Sequence, residues 1–150
     1  MNTKKTKKHL FPAGTYVIGD PCYYIADEDW DLLLRVTGYF GLPDHRAIDF
    51  DSGLYHYGGK ACFAYGTWFG DGCYPLTEND GKNEIWVKDL GVDAGLIGIM
   101  PVEVITDHPA EWLIDTHTFT APFEVWYSDG TFHFSELTVY TKDYEDDEYD

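Results

Sequence analysis

LIGIMPVEVI, Leu96 to Ile105, is the most continuous apolar stretch of the chain. Its β-branched content predicts a strand buried on both faces, and so a central one, with Gly98 and Pro101 marking bends or bulges. Other strand signals surround it. KACFAYGTWF, Lys60 to Phe69, alternates along its length: Ala61, Phe63, Tyr65, Thr67 and Phe69 point one way, Cys62, Ala64, Gly66 and Trp68 the other. Glu84 to Lys88 reads as a strand after the Asn79-Asp80-Gly81 turn. Phe123 to Tyr127 and Thr131 to Phe134 read as a hairpin closed by Ser128-Asp129-Gly130, with Leu137 to Thr141 as a third strand. Thr15 to Ile25 predicts a strand, a turn at Asp20 and Pro21, and a short second strand. One helical pattern stands out, with Trp30, Leu33, Leu34 and Thr37 on one face, a cap at Asp27 or Asp29, and a stop at Gly38. The connection from Gly38 to Gly59 carries a short strand at Ala47 to Phe50. About seven to nine strands and one helix predict a β-rich α+β fold: a curved antiparallel sheet or a partly open barrel with one packed helix.

The 150 residues, 44% of them apolar, fit one globular domain that needs no covalent staple. Aromatic residues make up 17%, about twice the ordinary share, and favour sheets over helices. Residues 1–10 read as a flexible basic arm, 11–142 as the single domain and 143–150 as a disordered acidic tail. No apolar run approaches the roughly 18 residues that span a bilayer, and the lysine-rich start leads into Pro12 and Gly14, not into a signal core. The expectation is a soluble, cytoplasmic protein whose three cysteines, Cys22, Cys62 and Cys73, stay reduced. The net charge is −17. With the tail and the four early lysines set aside, 21 acids face six bases, so the acidity belongs to the folded body. Such a surface repels nucleic-acid phosphates and anionic membranes and favours cations or basic partners.

A pentapeptide occurs twice, GDPCY at Gly19 to Tyr23 and GDGCY at Gly70 to Tyr74. Each copy places a carboxylate, a thiol and a phenol around a backbone breaker, and both read as tight turns at strand ends. YVIGDPCY (Tyr16 to Tyr23), ADEDW (Ala26 to Trp30), AYG (Ala64 to Gly66), GDGCY, and GVDAGLIGIMPVE (Gly91 to Glu103) follow one another in an unusual order. In this combination the chain resembles a family of small uncharacterised proteins encoded by tailed bacteriophages and some bacteria. GDGCYP and VDAG also resemble a bacterial domain family of unknown function in which GDGxYP and VDxG turns recur. The resemblance implies a phage or bacterial intracellular origin and no particular activity.

Four readings of the motifs compete. A mixed oxygen and sulfur metal site would use Asp20, Asp71, Cys22, Cys73 and Asp93, but D-x-C is not zinc-knuckle spacing and the six histidines are scattered. No metal or cofactor is expected. Nucleophilic chemistry at Cys22 or Cys73 needs a lowered thiol pKa, which neighbouring aspartates oppose, and carboxylate-driven hydrolysis by Asp20, Asp71 and Asp93 is the alternative catalytic reading. No catalytic residue is assigned. In a structural reading each Asp accepts backbone N–H groups two residues on, each Gly adopts positive φ, and Tyr23 and Tyr74 close over the turns. In a binding reading Asp20, Cys22, Tyr23, Tyr65, Trp68, Asp71, Cys73, Tyr74 and Asp93 form a recognition face for a host protein or a small-molecule ligand. The working expectation is a small, phage-encoded accessory protein that binds through that face, in a counter-defence role or as an acidic DNA-mimic decoy. It requires the two turns to lie at the same end of the domain.

Overall fold

The computed structural model describes residues 5–29, 53–107 and 111–142. Among them, strands β1 (His9–Phe11), β2 (Gly14–Gly19), β3 (Leu54–Tyr57), β4 (Lys60–Gly66), β5 (Gly72–Asn79), β6 (Glu84–Val92), β7 (Leu96–Pro101), β8 (Asp115–Phe119), β9 (Phe123–Ser128), β10 (Thr131–Phe134) and β11 (Leu137–Tyr140) form two antiparallel sheets. One sheet runs β1-β9-β10-β11-β5-β6 and the other β3-β4-β7-β2-β8. The fold is therefore β-rich and antiparallel as expected, with two sheets that do not close into a barrel. One helix begins in the described residues, at 27–29.

Alternation along the strands builds two apolar layers. Tyr16, Ile18, Phe63, Ile97 and Ile99 from the five-stranded sheet meet Leu76, Leu90, Val125, Tyr127, Phe132 and Val139 from the six-stranded one in the main core. The intervening residues Val17, Cys62, Ala64 and Met100 point to the opposite face, where Tyr24, Ile25, Tyr55 and Ile114 cover them. The opposed faces read in Lys60 to Gly66 are thus both buried. β7 occupies the middle of its sheet and all six of its residues are buried, as its composition predicts. Gly98 makes no bulge. It pairs in continuous register with Gly19 on one side and Ala64 on the other, and a Cβ there would run into the Phe63 carbonyl. The glycine permits close strand approach. Pro101 ends β7, and Val102–Val104 form a 3-10 turn where a continued strand was expected.

Other expectations are revised. No second strand follows the turn at Asp20, because Pro21 presets a helical φ and the Asp20 side chain caps a 3-10 turn at Pro21–Tyr23. The helix begins at Asp27 itself, so Asp27 and Asp29, foreseen as caps, lie in its first turn, where carboxylates suit the N-terminal dipole. β4 stops at Gly66, short of Trp68 and Phe69. β3 lies inside the connection expected between Gly38 and Gly59. The 1–10 arm carries β1, which pairs with β9, and Lys5 bridges to Ser128, so the foreseen boundary at residues 10 and 11 falls inside a strand. The expected helix face at Trp30 to Thr37, the strand at Ala47 to Phe50 and the 143–150 tail lie outside the described residues. No helix among the described residues is long and apolar enough to cross a membrane.

Candidate functional site

The chain leaves β2 through Gly19, whose φ of 149° only glycine adopts readily and whose Cα faces Ile114 too closely for a side chain. Asp20 follows and is completely buried. Its Oδ1 accepts the Cys22 N–H at 3.0 Å, while Oδ2 accepts the N–H groups of Asp93 at 2.9 Å and Ala94 at 2.6 Å. One carboxylate therefore ties the GDPCY turn to the VDAG loop between β6 and β7. Burial pushes the Asp20 carboxyl up, and the three N–H bonds pull against that rise without cancelling it. Consecutive amides converging on one oxygen form an anion-holding nest, here filled from within the chain.

Around this latch the motif residues gather. Cys22 is half-buried, and burial followed by the Asp20, Asp93 and Asp71 charges pushes its thiol far above the usual range. The Tyr23 phenol, half-buried, is pushed up to about 12 by burial first, and then by Cys22, Asp93, Asp20 and Cys73. Its ring lies over Gly91, the residue paired with Cys73 across β5 and β6; a Cβ on Gly91 would sit 3.7 Å from the phenol oxygen. Both pentapeptides and the VDAG loop thus share one end of the molecule. Asp71, Cys73 and Asp93 are exposed there.

The two copies are not equivalent structures. Gly72, at φ 153°, enters an extended strand where Pro21 enters a 3-10 turn, so GDGCY opens β5 rather than forming a matching turn. Asp20 is buried and Asp71 exposed. A subtler likeness survives. The Gly70 carbonyl accepts the Tyr74 hydroxyl at 2.9 Å and the Gly19 carbonyl accepts the Tyr24 hydroxyl at 3.2 Å. Both tyrosines are completely buried, and the extra residue in the first copy is the 3-10 turn. Tyr74 is therefore a closure for its own turn. Tyr65 turns toward the core and packs on Tyr127 at 4.5 Å between ring centroids, and Trp68 lies under the Lys142 ammonium at 4.5 Å. Of the nine expected residues, Cys22, Tyr23, Asp71, Cys73 and Asp93 offer accessible groups around the latch, Asp20 supplies the latch, and Tyr65, Trp68 and Tyr74 are engaged in packing.

Among the described residues, the motif carboxylates and thiols do not converge at metal-ligand spacing. Glu78, His117 and Glu136 do, with one ligand atom from each within 4.8 Å of the others. Nothing in their spacing along the chain announces them, since they come from β5, β8 and the β10–β11 turn. No family model matches the chain, and no curated protein or solved structure matches it.

Proposed function

We propose that this protein acts by binding rather than by turnover, presenting the end where GDPCY, VDAG and GDGCY meet to a basic segment of a partner protein. The observation that carries this reading is the Asp20 latch. Three backbone amides fixed on one buried carboxylate hold the GDPCY turn to the VDAG loop that carries Asp93, and the Gly70 carbonyl, accepting the Thr67 and Tyr74 hydroxyls, anchors the segment that carries Asp71, so both outward carboxylates stand on supports that lose little entropy on binding. Tyr23 adds an apolar body with a polar tip, the kind of group that anchors protein interfaces. A guanidinium or ammonium suits such a rim, and the surrounding negative field steers a basic partner toward it. A host protein that grips nucleic acid has that kind of surface, and capturing it would serve a counter-defence role. Thiol catalysis is the weaker reading, because every neighbour of Cys22 named above raises its pKa.

The test is an NMR titration of the 15N-labelled protein with an oligo-arginine peptide at about 100 mM salt, where fields beyond roughly 10 Å are screened. Shifts centred on the amides of Cys22, Tyr23, Asp71 and Asp93, weakened at least fivefold by the double substitution Asp71→Asn and Asp93→Asn, are expected on this proposal. Shifts spread evenly over the acidic surface and unchanged in the double variant would overturn it.

A further inference from the structure

We infer that Glu78, His117 and Glu136 form a binding site for one divalent first-row transition ion that ties the two sheets together. Glu78 stands on β5, opposite Leu137 of β11. Glu136 precedes Leu137, and its carbonyl accepts the Asn79 N–H at 2.8 Å, so both glutamates hang from one short piece of ladder. In the turn before Glu136, Ser135 adopts φ 59°, a left-handed conformation that few non-glycine residues take, and the Glu136 carboxylate lies on the Glu78 side. His117 arrives from the other sheet. It lies on β8, an edge strand, paired with Tyr16, and its ring is set edge-on against Phe119 at 4.6 Å.

The arrangement has ligand geometry. His117 Nε2 lies 2.8 Å from Glu136 Oε2, and all three ligand atoms fall within 4.8 Å of one another. Ligands about 2.0–2.1 Å from a tetrahedral zinc ion stand roughly 3.4 Å apart, so small side-chain rotations suffice. The charge balance points the same way. Both glutamates are half-buried, and among the described residues neither is paired with a lysine or arginine. The Glu78 carboxylate has no hydrogen-bond or ion-pair partner among them either. Even with a protonated imidazole the trio keeps a net negative charge, whereas a divalent ion with neutral histidine and two carboxylates makes a neutral site. One imidazole with two carboxylates suits Zn2+, Mn2+, Fe2+ or Co2+ better than Ca2+ or Mg2+, and the lack of a thiolate disfavours Cu(I). Three protein ligands leave a coordination position to water.

The experiment uses the full chain stripped with chelator and returned to 150 mM NaCl at pH 7.5. Calorimetric titration with Zn2+ should show one saturable site, weakened about tenfold or more in Glu78→Gln and in His117→Gln. Glu78→Gln should leave the melting temperature of the metal-free protein almost unchanged, because its carboxylate has no side-chain partner among the described residues to lose. Mn2+, which avoids thiols, should broaden amide signals first around Glu78, His117 and Glu136. Absence of saturable binding, retention of full Zn2+ affinity in both variants, or broadening centred elsewhere on the acidic surface would each overturn the inference.

Discussion

Asp20 and Asp71 occupy the same place in a repeated pentapeptide and sit in opposite environments. Asp20 has no exposed surface and three amide donors; Asp71 is open to solvent. Replacing Asp20 by Asn keeps the shape but turns one oxygen into an NH2 group, which must face either the Cys22 N–H or the Asp93 and Ala94 pair. A buried donor then opposes donors. The expected loss is about 2–4 kcal/mol in urea unfolding, against less than about 0.5 kcal/mol for Asp71→Asn. Equal losses would show that the VDAG loop is held by something other than this carboxylate. The local half of the Asp20 role was readable, since an Asp before Pro-Cys accepts an amide two residues on. Its other two bonds reach across more than 70 positions to Asp93 and Ala94, and no local pattern encodes such a partner.

Strands were readable where both faces are buried or where they alternate strongly. β7 and β4 are such elements, and their contact leaves room for only a hydrogen at Gly98. Gly98→Ala must push β4 away from β7 in the middle of the sheet, at an expected cost of about 3 kcal/mol or more. Circular dichroism and thermal melting would measure it, and a melting temperature within about 2 °C of the parent would mean that the sheet yields easily there. β1, β3 and β8 escaped because their pattern is weak. HLF of β1 buries only Phe11 fully, and DTHTF of β8 buries only Phe119. Their identity as strands comes from pairing with β9 and β2, a property of the partner as much as of the segment. The repeat misled for a related reason: Pro21 and Gly72 both break regular structure, but proline starts a helical turn while glycine here admits an extended entry into β5.

At the scale of the whole molecule, charge is poorly balanced. The chain has 27 acids and 10 bases; among the described residues Lys60 pairs with Glu103 and Lys88 with Asp115, while His117 hydrogen-bonds to Glu136. Lys88 is shared further, donating to the carbonyls of Glu111 and Ile114. The exposed Lys60–Glu103 pair contributes little, and with a net charge of −17 repulsion among carboxylates is expected to be the larger electrostatic effect on folding. Salt screens repulsion and attraction alike, and the sign of its effect reports which one dominates. Raising NaCl from about 20 to 500 mM at pH 7.5 shortens the screening length from roughly 20 Å to 4 Å. With chelator present to keep divalent ions away, the melting temperature should rise by about 3–6 °C, equivalent to relief of about 1–2 kcal/mol. A fall would mean that specific pairs outweigh the diffuse field, and would count against steering of a basic partner by that field. A rise would fit a surface whose unbalanced acidity is kept at a cost in stability, which is the condition under which a basic partner gains most by neutralising it.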